Sequence, residues 1–180
     1  MMLRRMLWLR TAFTAMSLMT SHTRGHTGIR GWTGKREYQE RFLRLWENLA
    51  KEFGGDYESV AFDLLNEITD VSYLPVWKKI AAECVERIRR YAPDTVIVIG
   101  SYDYNDVRAV KDLDAPQDAL VAFSFHCYEP HDFTHQGAYW DPRLDREKRI
   151  AFRDSGTTEE MFEELFESAL AKAAEYGADL

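Results

Sequence analysis

Cysteine is scarce in this chain, long apolar runs are missing, and acidic residues are absent from its first fifth. Two cysteines in 180 residues, Cys84 and Cys127, are too few for a disulfide framework or a zinc ribbon, and both read as free thiols. No stretch approaches the ~20 apolar residues of a membrane span. No glycine-rich phosphate loop follows any strand read below, which counts against a nucleotide-binding open sheet. Residues 1–36 hold seven basic residues and no acidic one, whereas 37–180 hold sixteen basic and thirty acidic. A body so acidic repels nucleic acid, while a neutral polysaccharide is indifferent to its charge. Aromatics are plentiful, with five Trp, nine Tyr and ten Phe. Rings fill cores first, and they also stack on the apolar faces of sugars.

The first 35 residues form an atypical basic segment. Met1-Met2-Leu3-Arg4-Arg5 and the apolar run after it begin like a secretory signal. Arg10 then interrupts the run, and no clean small-residue cleavage site follows. A misassigned start, an off-frame read and a genuine basic tail all fit this text.

From residue 36 the periodicity is orderly. Phe42, Leu45, Trp46, Leu49 and Phe53 recur at helical spacing over 37–53, and Gly54-Gly55 is the stop. Residues 60–65 read as a short buried strand with Asn66-Glu67 at its C-terminal tip. A helix over about 74–91 follows, with Pro75 in its first turn. The β-branched run Thr95–Ile99 reads as a strand covered on both faces. A short helix is expected at 106–112, and a strand at 119–125 with His126 at its tip. The loop 127–156 is long enough to be functional. The last helix, 158–176, is capped by Thr157 or Thr158 and stopped by Gly177, and Ala178-Asp179-Leu180 looks like the opening of another strand. The alternation predicts an α/β fold with parallel strands whose polar tips share one end. In an α/β barrel that end holds the active site.

Glu67 is the first residue to carry chemistry. A carboxyl group ending an apolar strand is partly desolvated, which predicts a raised pKa and suits a general acid. Asn66 beside it can hydrogen-bond a sugar hydroxyl. The spacing of His126, His131 and His135 fits no standard metal pattern, so neither a metal nor a cofactor is expected.

Several runs together resemble glycoside hydrolase family 5, the cellulase-type (β/α)8 TIM barrels. Phe62-Asp63-Leu64-Leu65-Asn66-Glu67 is similar to the family's strand four. Trp77, Ile88-Arg89 and Pro93 resemble the helix and turn before strand five, and Val96–Ser101 that strand itself. Phe125-His126-Cys127-Tyr128-Glu129-Pro130 resembles strand six with its His-x-Tyr pair. Phe133–Ala138, with Trp140 close behind, resembles the loop after it. The resemblance covers roughly residues 36–180. It implies a partial barrel, not closed, with strands four to six and their flanking helices.

The same resemblance implies a retaining endo-β-1,4-glucanase acting on β-glucan, in an extracellular or periplasmic setting. Glu67 would be the acid/base, and Asn66 would bind the sugar 2-hydroxyl. His126 would line the subsite at the cleaved bond. Tyr128 would donate to the nucleophilic carboxylate, and Trp140 would stack on sugar. The family's nucleophile is a Glu ending strand seven. Glu175-Tyr176-Gly177 matches its local pattern, but it falls in the last turn of a helix, so no nucleophile is expected within these residues. The family's strands one to three bring an Arg and a His near the substrate, for which His22 and His26 are poor substitutes. The chain is therefore expected to be a fragment, inactive alone and prone to self-association through exposed sheet edges. The alternative reading is a non-catalytic barrel remnant that binds carbohydrate.

Overall fold

The computed structural model describes residues 35–180, and the expectations for the basic N-terminal segment, His22 and His26 included, lie outside the described residues. Three short parallel strands form one sheet in sequence order: β1 (Ala61–Asp63), β2 (Val96–Ile99) and β3 (Val121–Phe123). Helix α1 (Arg36–Phe53) precedes β1, and α2 (Leu74–Arg89) connects β1 to β2. After β3 come the short helix α3 (His131–Thr134) and the long α4 (Glu159–Tyr176). The register aligns Phe62 with Ile97 and Ile97 with Val121, and in the next row Asp63 with Val98 and Val98 with Ala122. The parallel strands follow the alternation of elements, and the unclosed arc of an α/β barrel is what the family resemblance implied.

Successive residues of a strand face opposite sides. Phe62, Ile97, Ile99, Val121 and Phe123 belong to the core, together with Phe42, Leu43, Trp46 and Ala50 of α1 and Trp77, Ile80, Cys84, Val85 and Ile88 of α2. The helices therefore cover one face of the sheet. Asp63, Val98 and Ala122 share the other face, which in a closed barrel looks inward.

Two indole groups fix where the strands stop. Trp46 Nε1 donates to the Leu64 carbonyl (3.2 Å), and Trp77 Nε1 donates to the Gly100 carbonyl (2.9 Å). Each bond takes up a backbone acceptor just past a strand end, so the chain is free to turn there without a buried orphan. At the opposite end, Arg89 closes the bottom of the sheet. Its guanidinium donates to both Asp118 carboxylate oxygens (2.7 and 3.0 Å) and to the carbonyls of Ala92 (3.1 Å) and Thr95 (2.7 Å).

The strands are shorter than the sequence suggested and α2 ends two residues sooner, at Arg89, and three further points refine the reading. The segment expected as a helix at 106–112 is a 3-10 turn over Val107–Asp112. Gly54 ends α1 with ordinary right-handed φ (−63°), not the left-handed cap that a terminal glycine suggests. It is needed for space, because a Cβ there would lie 2.7 Å from the Tyr91 carbonyl oxygen. Thr158, not Thr157, caps α4 by accepting from the Met161 N–H (3.4 Å), and Gly177 stops it at φ +62°. Past that stop, the Phe123 N–H donates to the Asp179 carbonyl (2.9 Å), so Ala178–Leu180 begins to pair with the outer edge of β3.

Candidate active site

The polar strand tips meet at one end of the sheet. Glu67 stands four residues beyond β1, at φ +32°, and His126 three residues beyond β3. His126 Nδ1 lies 2.8 Å from Glu67 Oε1, and the Tyr128 hydroxyl donates to the same oxygen at 3.1 Å. Residues 59 and 61 positions apart in sequence thus converge on one carboxylate oxygen. The side chains of Glu67 and His126 are 27% and 28% exposed, so the pair is sheltered but reachable from solvent. It opens onto a cleft of about 930 Å³ lined by Glu67, His126, Tyr128 and Trp140 among others.

The electrostatics correct one expectation. Burial does push the Glu67 carboxyl upward, but the hydrogen bond from His126 outweighs it, the Tyr128 hydroxyl adds to that bond, and the net direction is down. The Glu67 contact in turn raises the His126 imidazole above its ordinary range, against the opposing effect of burial. The contact thus favours the carboxylate form of Glu67 and the protonated form of His126, whose Nδ1 faces it. The Tyr128 hydroxyl donates to Glu67, the group read as acid/base. One strand turn behind, on the inward face, burial pushes the Asp63 carboxyl up to about 6, with the His126 charge opposing.

The loop after β3 holds Tyr128 in place. Thr134 Oγ1 in α3 donates to the Tyr128 carbonyl (2.6 Å), and the His135 ring meets the Tyr128 ring edge-on at 5.0 Å. Trp140 is 66% exposed at the cleft, with the Tyr139 ring edge-on 5.1 Å away. Asn66 is half-buried beside Glu67. Glu175 lies in the last turn of α4, exposed and paired with Lys172 (3.2 Å), away from any strand tip. Among the described residues no three His, Cys, Asp or Glu side chains converge as a metal-ligand set.

Sequence reasoning overlooked the loop after β2. Asp103, Tyr104 and Asn105 all adopt positive φ (53°, 58° and 61°), and Asp103, Tyr104, Asp106 and Arg108 line the cleft. The signal was present in Ser101-Tyr102-Asp103-Tyr104-Asn105-Asp106, a polar run at a strand tip rich in the residues that tolerate left-handed backbone.

Known proteins resemble this chain in sequence and in fold. The family model "Cellulase (glycosyl hydrolase family 5)" matches residues 20–178, and so reaches into the basic segment. Cellodextrinase A of Ruminococcus flavefaciens is 46% identical over 150 residues, 83% of this chain and 45% of that protein. Endoglucanase C of Acetivibrio thermocellus is 37% identical over 102 residues, 57% of this chain and 29% of that protein. The chain thus spans less than half the length of these curated relatives. Among solved structures, clostridial cellulose synthase subunit Z from Clostridioides difficile superposes with a TM-score of 0.69 at 27% identity, over 79% of this chain and 48% of that one. With a family match over most of its length, this chain belongs to the cellulase family, glycosyl hydrolase family 5.

Proposed function

We propose that this chain supplies the acid/base side of a retaining glycoside hydrolase acting on β-1,4-glucan outside the cytoplasm. One observation carries the reading: a strand-tip carboxylate, Glu67, held by an imidazole at 2.8 Å and a phenol at 3.1 Å inside an open cleft. Glu67 is the acid/base, Asn66 binds the sugar 2-hydroxyl, and His126 and Tyr128 border the cleaved bond. Trp140 offers its exposed ring to a sugar face.

The protonation states support a division of labour. Ionised Glu67 suits the second half of a retaining reaction, taking a proton from the water that frees the sugar. The first half, protonating the leaving oxygen, needs the carboxyl raised. A second carboxylate about 5–5.5 Å away raises it, because two like charges in one cleft resist each other. We assign that second group, the nucleophile, to a Glu that these 180 residues do not carry at a strand tip. Alone, the chain should hydrolyse negligibly and should self-associate through its sheet edges.

The test is a chimera in which this chain replaces its matching stretch in the Ruminococcus flavefaciens cellodextrinase. The chimera should cleave a chromogenic β-cellobioside with retained anomeric configuration by NMR. Glu67→Gln should lower its kcat/KM on an unactivated cello-oligosaccharide, whose sugar leaving group needs a proton, by about 10²–10⁴. Full activity in that variant would end the assignment. The exposed Tyr139–Trp140 pair favours one second reading, a non-catalytic remnant that holds glucan. Cello-oligosaccharide binding by the chimera, with no turnover, would select it.

A further inference from the structure

We propose that Asn105 is a positioning residue for the Glu67–His126 pair, locking a left-handed loop that ties together the backbone behind both side chains. The inference rests on the proposed role of Glu67, and it deepens that reading.

The loop 103–105 crosses the tip of β2, between the two segments that carry the pair. On one side the Tyr104 N–H donates to the carbonyl of Ile68, the residue next to Glu67 (2.8 Å). On the other side the His126 N–H donates to the Asn105 carbonyl (2.7 Å), and Asp106 pairs with His126 in a parallel bridge. The relative placement of the Glu67 and His126 backbones therefore passes through residues 104–106. A 2.8 Å contact between two partly exposed side chains needs such a tie, because rotamer and loop freedom otherwise spread the two groups apart.

Asn105 holds the loop in a conformation it would not keep by itself. Three consecutive non-glycine residues at positive φ persist only where their surroundings over-determine them. Asn105 is 3% exposed, and asparagine is among the few residues that tolerate this region. Its Oδ1 accepts from the Ser101 N–H (2.7 Å), and its Nδ2 donates to Ser124 Oγ (3.3 Å). One side chain thus spans the tips of β2 and β3. Gly100 makes room for it: a Cβ there would stand 2.5 Å from Asn105 Oδ1. Asn105 touches neither the cleft nor the reacting atoms, so its effect is exerted through the pair.

The experiment reads the pair directly, in the full 180-residue chain with isotope-labelled histidine. The chain has five histidines, and the His126 signal is the one lost in His126→Gln. The titratable groups facing this ring are the carboxyls of Glu67 and Asp63 from the β1 segment and the neutral phenol of Tyr128 from its own segment. Glu67→Gln should lower the His126 titration midpoint and so define the full loss of the contact. Asn105→Ala should give at least about half of that drop. Asn105→Gly, which keeps the left-handed backbone available, and Gly100→Ala, which displaces the side chain, should move the midpoint the same way. These two decide the matter if Asn105→Ala fails to fold. Ile88→Val, a core change in α2, should lower Tm and leave the midpoint in place.

A lower Tm with an unmoved His126 midpoint in the Asn105 variants would reduce Asn105 to a fold-supporting residue and overturn the proposal. An unmoved midpoint in Glu67→Gln would overturn it too, because there would be no pair to position. A chimera without hydrolytic activity, alongside the expected titration shifts, would sink the proposed function and the catalytic meaning of the pair, and would leave only the geometric tie through Asn105.

Discussion

The two faces of the sheet obey different rules, although they are built from alternate residues of the same three strands. The helix-covered face is dry and redundant: Phe62, Ile97 and Val121 share a row, with Trp46 and Trp77 packed over them. The inward face carries one acid, Asp63, in the next row, with Val98 and Ala122. Beyond that face, at the strand tips, one carboxylate oxygen organises an imidazole and a phenol. Burial on the first face stabilises the fold, whereas on the second it works against charged groups and tunes them. Chemistry here is gathered where the fold is least self-sufficient.

The contrast can be broken most forcefully from the dry side. Trp77→Ala removes a fully buried indole and its bond to the Gly100 carbonyl, and should cost about 3–5 kcal/mol by denaturant titration. A loss under 1 kcal/mol, roughly a surface-like value, would mean that the two faces are not so different.

Asp63→Asn should have the opposite sign. The folded carboxyl sits at about 6, above its unfolded value, because burial disfavours the charge. Wild-type stability is therefore lost as pH rises through that range. The amide should stabilise the chain by about 2 kcal/mol above pH 7 and by almost nothing near pH 4. A pH-independent difference between the two proteins would contradict the burial argument.

His126→Gln probes the rim. The lowered Glu67 contributes stability present above the ordinary carboxylate range and lost as pH falls through its folded value. The raised His126 contributes stability present below the ordinary imidazole range and lost as pH rises through its folded value. The two describe one contact, worth about 1 kcal/mol at this exposure, and confined to the window between those limits. Thermal melts of both proteins across pH should show a bell-shaped difference, and a flat one would count against the ion pair. Smallest of all, Trp140→Ala should change stability by less than about 0.5 kcal/mol while weakening cello-oligosaccharide binding.

Most of the fold was legible because helical and strand periodicity is local. Phe42, Trp46 and Leu49 announced α1, Pro75 the first turn of α2, and Thr95–Ile99 its strand, without help from distant residues. Gly177 showed its left-handed role, but Gly54 did not show its own, since crowding by Tyr91 and Ala92 comes from another element. The site was legible as a set of residues and not as a set of charge states. Glu67 at an apolar strand end predicted a raised carboxyl, and only the fold brought His126 and Tyr128 close enough to reverse the sign. The loop 103–105 escaped for a related reason. Its composition hinted at turns, but its function as a tie depends on Ile68 and His126, which lie far off in sequence.

The clamp at Arg89 has a practical consequence for anyone who wants to re-engineer this domain. One guanidinium gathers the end of α2, the start of β2 and the approach to β3 at the floor of the arc, opposite the chemistry. Lysine, with a single ammonium in place of a planar fork, could not serve all four acceptors. Because the foundations are pinned from below, exposed positions at the mouth that take no part in the 101–107 tie can be varied without unzipping the strands. A library builder should spend diversity on the exposed stretch 145–149 and leave position 89, the tie at 101–107 and Tyr128 untouched.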